Sequence, residues 1–197
     1  VGPNCVGIIS TEPSSLYCMM QPVFPPAGHI AVVSQSGNIA GSFLFMLWKQ
    51  DIGVGRCVSV GNQAVLTTED FQEYLIDDEQ SRVVVAYLEG VNDGQRFMDV
   101  ARRLTRKKPL IVIKGGKSER GIAAARSHTG AIAGSSAVFD TVCRQCGVIR
   151  VDDVEDLFDT ATAFLSQPVP QGNRIGIVAN GGGWGVLTAD ACIDAGL

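Results

Sequence analysis

Three places in this 197-residue sequence bring together residue types that can do chemistry. The first is His128, in Ala123-Ala-Ala-Arg-Ser-His-Thr-Gly-Ala131, within a loop running from Lys114 to about Gly134. Loops that long are uncommon in compact domains and tend to carry function. An imidazole there suits nucleophilic or proton-transfer chemistry near neutral pH; a helix-capping or solvated role is the alternative. The second is Glu89, which ends the apolar run Arg82–Leu88 and is followed by Gly90. A carboxylate at the end of a buried strand needs a partner. A histidine N–H is a natural one, fixing the tautomer and leaving the other ring nitrogen free to attack. Capping of the next helix is the competing role. The third is Ser34-Gln35-Ser36-Gly37-Asn38, which leads directly into a helix. Free N–H groups at a helix start attract anions, Gly37 permits close approach, and the Ser34 and Ser36 hydroxyls add donors. An ordinary serine N-cap would look the same.

Other motifs fail on spacing or context. Gly116-Lys117-Ser118 resembles the end of a phosphate-binding loop, but its first glycine position holds Ile111, inside a strand-like run. Gly181-Gly-Gly-Trp-Gly185 lacks dinucleotide spacing because Val186 breaks it. Cys143-Arg-Gln-Cys146 is a lone pair within a helical pattern and reads as core thiols, so no metal site is expected. The other histidine, His29, directly precedes an apolar run and reads as structural.

The elements that must position these residues alternate regularly. Ile30–Val33, Cys57–Val60, Arg82–Leu88, Pro109–Ile113 and Val148–Val151 are apolar strand-like runs. Helical patterns follow them: Gly37 to about Gln50, Thr67 to about Glu79, Asp93 to about Arg106, Ser135 to Cys146 and Val154 to Leu165. Continuously apolar strands imply cover on both faces. The fold class is therefore α/β: a doubly wound, parallel, five-stranded flavodoxin-like sheet, with ligands at the carboxyl ends of its strands. By this topology Ser34–Asn38, Gly61–Asn62–Gln63, Glu89–Gly90 and the His128 loop share one edge. The helix after Gly37 is apolar nearly all round, so it is expected to be covered by its own sheet and by another domain or subunit.

Residues 1–27 read as an extended lead-in, 28–166 as the flavodoxin-like domain and 167–173 as a linker. Residues 174–197 read as the first β-α unit of a second, similar domain, because Ile175–Gly182 echoes Ile30–Gly37. The sequence opens at Val1 and stops at Leu197 in mid-pattern, as an excised piece of a longer protein would.

Composition excludes several classes. With 46% hydrophobic and 18% charged residues the chain can bury a real core. A net charge of -4 without a basic stripe argues against nucleic acid. The only dense basic run, Arg102, Arg103, Arg106, Lys107 and Lys108, suits a solvated helix end. The longest apolar stretch, Ile39–Trp48, falls short of the ~20 residues a membrane span needs. Six scattered cysteines and no leader peptide point to reduced thiols and the cytoplasm.

Taken in order, several motifs resemble the NDP-forming acyl-CoA synthetases, relatives of the succinyl-CoA synthetase α subunit. They are Gly2-Pro-Asn-Cys-Val-Gly7, Ser34–Asn38, Ser59-Val-Gly-Asn62, Tyr87-Leu-Glu-Gly90, Lys108-Pro109, Lys114-Gly-Gly-Lys-Ser118 and Ala125-Arg-Ser-His-Thr-Gly130. The resemblance implies a ligase that interconverts acyl-CoA, NDP and phosphate with a carboxylic acid, CoA and NTP. It implies that His128 is the phosphorylated histidine and Glu89 the carboxylate that orients it. It further implies that Ser34, Ser36, Gly37, Asn38, Thr129 and Gly130 bind the phosphoryl group. Asn4 and Cys5 would lie near the CoA thiol end, and Gly61 and Asn62 near the acyl substrate. Coenzyme A and ADP/ATP or GDP/GTP are then substrates, none of them held tightly by this piece. The implied partners are a CoA-binding domain upstream and an ATP-grasp domain or β subunit carrying Mg2+, in an oligomer. The piece alone should be inactive. Val65 stands where the family often has an acidic residue, which bears on acyl preference. The competing functions are an acyl-CoA-sensing domain of a protein acetyltransferase and a flavodoxin-like module for FMN or another phosphate-bearing ligand. Retention of His128 argues against the first, and the lack of paired loop aromatics against the second.

Overall fold

A computed structural model of the chain describes residues 1–116, 136–170 and 172–197. Contacts divide it into two units, Val1–Ser166 and Gln167–Leu197.

The first unit is built on β1 (Gly7–Ser10), β2 (Leu16–Met19), β3 (Ala27–Ser34), β4 (Val54–Ser59), β5 (Val83–Leu88), β6 (Leu110–Lys114) and β7 (Ile149–Val151). Its helices are α1 (Gly37–Lys49), α2 (Thr68–Asp77), α3 (Gly94–Thr105), α4 (Ser136–Cys146) and α5 (Val154–Ser166). One sheet holds all seven strands in the order β2-β1-β4-β3-β5-β6-β7. The five from β3 onward are parallel and doubly wound, as the sequence pattern predicts, with the first strand flanked by the second and third. The lead-in departs from expectation. It forms the antiparallel pair β1–β2, and β1 also pairs antiparallel with β4, making the sheet seven-stranded. Its Pro, Ser and Gly content conceals the two four-residue strands, Gly7–Ser10 and Leu16–Met19.

Side chains alternate across the sheet, as a two-residue period requires. Ile30, Val32, Val83, Val85, Ile111 and Ile113 pack with Phe43, Leu44 and Leu47 of α1 and Leu157 and Phe158 of α5. Ala31, Val33, Val84, Ala86, Leu110 and Val112 pack on the other face with Leu75, Phe97, Leu104 and Phe139 of α2, α3 and α4. Cys143 and Cys146 belong to this second core, as core thiols should. Burial pushes the Cys143 thiol up to about 11 and that of Cys57, on the opposite face, to about 12.

The helix starts follow their capping signals. Thr67 donates to Asp70 through both amide (2.6 Å) and hydroxyl (3.1 Å), and Arg96 of α3 pairs with the same carboxylate. The basic run at the end of α3 faces α2, where Arg103 reaches Glu73 (2.8 Å) and Lys107 reaches Asp77 (2.6 Å). The outer face of α1 is only partly covered. Phe45 and Trp48 remain exposed, and Trp48 packs edge-on against Phe24 of the lead-in, with ring centroids 6.3 Å apart.

The second unit has one helix, α6 (Gly182–Asp194), with no buried residue. The strand predicted over Arg174–Ala179 is not formed. A strand is defined by its ladder, and among the described residues this apolar segment has none.

Candidate functional site

The rim at the carboxyl ends of the parallel strands is built from loops that bind to one another through side chains. After β3, Ser34 Oγ donates to Ser36 O (2.7 Å) and accepts from Ser36 N (3.2 Å). This local turn aims Ser36 to cap α1 by accepting from Ile39 N at 3.4 Å. Ser34 therefore spends its proton on the turn, while Ser36 accepts and keeps its own. Gly37 follows because Val6 packs there: a β-carbon on Gly37 would stand 2.3 Å from Val6 Cγ1. The first turn of α1 contains no acidic residue that would oppose an anion.

After β4, the chain turns through Gly61 at φ +61°, where a β-carbon would meet Pro3 O at 2.2 Å. The lead-in is locked onto this turn. Asn62 N donates to Pro3 O (2.9 Å), and Asn4 Nδ2 donates to Asn62 Oδ1 (3.2 Å). Asn4 itself adopts the left-handed region at φ 57°. Two residues predicted from separate motifs, Asn4 and Asn62, thus touch. Cys5 lies half-buried beside them in the same turn.

After β5, Glu89 is buried at 5% exposure. The Tyr87 hydroxyl bonds to its carboxylate, and burial together with the Glu89 charge pushes the Tyr87 phenol above its ordinary value. At the end of β6, Lys114 is buried at 4% exposure, and its Nζ donates to Glu89 O (2.7 Å) and Gly115 O (2.6 Å). Burial, with the Arg150 charge, lowers the Lys114 ammonium below its usual value, while Glu89 opposes that shift.

Gln35 connects these pieces. Its Oε1 accepts from Glu89 N (2.5 Å) and Gly90 N (3.0 Å), and its Nε2 donates to Gly90 O (2.8 Å) and Thr68 Oγ1 (3.4 Å). Thr68 donates in turn to Gln63 Oε1 through its amide (2.7 Å) and hydroxyl (2.8 Å). Ser36, Gly37, Asn38, Glu89, Asn62 and Asn4 therefore share one connected rim. His128, Thr129 and Gly130 lie outside the described residues. His29 is exposed at the opposite end of the sheet, with Nδ1 2.8 Å from Gln80 O.

Gln35, Gln63, Tyr87 and Lys114 lie in segments singled out from the sequence but with no role of their own, and Thr68 only within a helical pattern. The available signal was polarity at a strand end: a buried amide or ammonium there must find partners. Among the described residues, no cluster of His, Cys, Asp or Glu is arranged to hold a metal. Nor is any helix long and apolar enough to cross a membrane.

Strand order and rim define a doubly wound α/β domain with an anion-favouring helix start next to a buried carboxylate. The succinyl-CoA ligase like flavodoxin domain matches residues 27–164, and the chain belongs to that family. The chain is 43% identical over its full length to the Pyrococcus furiosus acetate–CoA ligase [ADP-forming] II subunit alpha, spanning 42% of it. It is also 43% identical to Nitrosopumilus maritimus 4-hydroxybutyrate–CoA ligase [ADP-forming], with 99% of this chain spanning 28% of that protein. Among solved structures it resembles the Ca. Korarchaeum cryptofilum dinucleotide forming acetyl-coenzyme A synthetase 1 in complex with phosphate and ADP. There the TM-score is 0.92 at 38% identity, over 100% of this chain and 42% of that one. The chain thus spans less than half the length of each of these relatives.

Proposed function

We propose that this chain is the phosphoryl-carrying part of an NDP-forming acyl-CoA ligase. The observation that supports the reading best is the joining, through Gln35, of the α1 start to Glu89 at adjacent strand ends. In the first step a phosphate oxygen attacks the acyl-CoA thioester carbonyl. The C–S bond breaks, CoA leaves as thiol or thiolate, and an acyl phosphate forms. An imidazole nitrogen of His128 then attacks phosphorus, and the free carboxylate departs. Finally the terminal oxygen of an NDP takes the phosphoryl group, giving NTP and restoring the imidazole.

Glu89 would accept the other ring N–H of His128, fixing the tautomer and favouring the cationic phosphohistidine. Ser36, Gly37 and Asn38 at the start of α1, with Ser34 beside them and Thr129 and Gly130 next to His128, would hold the phosphoryl oxygens. Asn4 and Cys5 would lie near the CoA thiol and Gly61 and Asn62 near the acyl group. CoA and nucleotide would be held mainly outside this piece, by a CoA-binding domain and an ATP-grasp domain or β subunit. Mg2+ would act in the nucleotide part, neutralising phosphate charge. In this organisation 1–27 leads in, 28–166 carries the phosphoryl site, 167–173 links and 174–197 opens a further α/β domain. Six unpaired cysteines fit a reducing cytoplasm.

The test is labelling of the full-length protein with γ-labelled NTP. Wild type should take up label and release it on adding acid and CoA, whereas His128→Asn should not be labelled. Equal labelling of the two would remove the proposal.

A further inference from the structure

At the carboxyl end of β5 the sheet ladder stops, and two side chains take over its hydrogen bonds. Glu89 N, Gly90 N and Gly90 O are bound by Gln35 from the β3 side, and Glu89 O by Lys114 from the β6 side. Every backbone polar group of Glu89–Gly90 is thereby fixed by a buried side chain. The orientation of the Gln35 amide is forced, because two N–H groups face one end and a carbonyl faces the other. Gln35 is 6% exposed and lies in the loop that carries Ser36 and Gly37. Its own amide donates to Tyr87 O (3.0 Å), two residues before Glu89.

We infer that Gln35 is a positioning residue for phosphoryl transfer, setting Glu89 against the α1 start so that carboxylate and anion site act on one group. This rests on the phosphohistidine reading above and goes beyond it. Gln35 itself belongs to the 34–38 loop, so its side-chain amide ties the Glu89 backbone directly to the backbone that carries Ser36 and Gly37. Lys114 supports the Glu89–Gly90 peptide from the far side, and its partners among the described residues, Glu89 O and Gly115 O, lie outside the 34–38 loop. Three successive peptide units, Leu88–Glu89, Glu89–Gly90 and Gly90–Val91, each bond to the Gln35 amide, and rotation of the middle one would also break the Lys114 bond to Glu89 O, so the carboxylate has one held origin. Among the described residues, charged and titratable groups around Glu89 are Tyr87 on β5 and Lys114 on β6, with Arg150 of β7 beyond Lys114. On the α2 side Glu69 is buried next to Thr68.

The test uses the full-length protein with its nucleotide-binding part. Single-turnover labelling from NTP is followed across acid to alkaline pH for wild type, Gln35→Met and Gln35→Glu. Gln35→Met keeps the length of the side chain and removes its four hydrogen bonds. It should slow labelling by about 10- to 100-fold, as loss of an orienting partner does elsewhere, with KM for NTP unchanged. Gln35→Glu keeps an acceptor for both amides and adds a negative charge beside Glu89. Like charge raises a carboxyl pKa, so the acid limb should move to higher pH while the alkaline rate recovers toward wild type. A merely structural role would lower the amount of folded protein and leave the labelling rate per folded molecule in Gln35→Met unchanged. Wild-type rate and pH profile in Gln35→Met would overturn the inference. Should Gln35→Met fail to fold by circular dichroism, Gln35→Glu decides, and an unmoved acid limb counts against it. Failure of wild type to label, or labelling of His128→Asn, removes the underlying reading and this inference with it; the Gln35 outcomes remove only the latter.

Discussion

Gly37 at the start of α1 gives a quantitative test of how the lead-in and the anion-favouring rim are built together. In Gly37→Ala the new methyl would stand 2.3 Å from Val6 Cγ1 and 3.1 Å from Cγ2. Overpacking of this kind costs about 1–3 kcal/mol; ~2 is a central value, since Val6 sits on a strand approach and cannot swing away freely. Val6→Ala alone removes two methyl groups from a half-buried residue. At roughly 0.8 kcal/mol per buried group, halved for exposure, it should cost about 1 kcal/mol. Independent effects would sum to about 3 kcal/mol. The severe clash is relieved once those methyls are gone, because the remaining Val6 contact is Cβ at 3.2 Å, which a shift of a few tenths of an ångström accommodates. The double variant should therefore lose only about 1–1.5 kcal/mol, a coupling of about 1.5–2 kcal/mol. Urea unfolding of the four proteins by circular dichroism measures this through midpoints at constant m. Additivity to within about 0.5 kcal/mol, or a neutral Gly37→Ala, would refute the argument that Val6 excludes a side chain at position 37.

Two further outcomes follow from the titration behaviour of the fold. The Asp70 carboxyl is held below its ordinary value, chiefly by the hydrogen bond from Arg96 and then by that from the Thr67 amide. Its stabilisation is therefore present above the ordinary aspartate pKa, about 3.9, and is lost as pH falls through the lowered folded value. Asp70→Asn should be less stable than wild type by about 1 kcal/mol near neutrality, with the gap closing in acid; a gap that persists in thermal midpoints at the acid end would contradict this. With thiols pushed to about 12 and about 11, native Cys57 and Cys143 should resist iodoacetamide at mildly alkaline pH while exposed Cys18 reacts. Mass mapping should show Cys57 lagging by about a thousandfold or more, and early labelling there would mean the sheet opens around it.

The five parallel strands were legible because each is a short, unbroken apolar run followed by a helical period, as in Arg82–Leu88 and then Asp93–Arg106. The hairpin was not, because β1 and β2 have four residues each and the pair is joined to the sheet through β1 against β4, a contact remote in sequence. The opposite error occurred at Arg174–Ala179, where a good local pattern has no ladder among the described residues. At the rim, Ser36, Gly37, Glu89 and Asn62 were identifiable as residues following strands, and Asn4 through the family resemblance. Gln35 stands in the same motif, but its role was not legible, since it lies in four bonds to partners up to 55 positions away, which no local spacing encodes. Lys114 was hidden in the same way: it reads as the first residue of the long loop, yet it ends β6, buried and bound to Glu89 O.

The order of the strands also bears on how safely this chain can exist at high concentration. Its sheet terminates in β2 and β7, of four and three residues, while the eight-residue β3 lies inside. Exposed edges are where foreign chains add on, and short ones offer few free amides and carbonyls. Without the hairpin, the six-residue β4 would become an open border with Cys57 and Val58 along it. A truncation that begins after β2 should therefore precipitate or form fibrils far more readily than the intact chain, even though every parallel strand is retained.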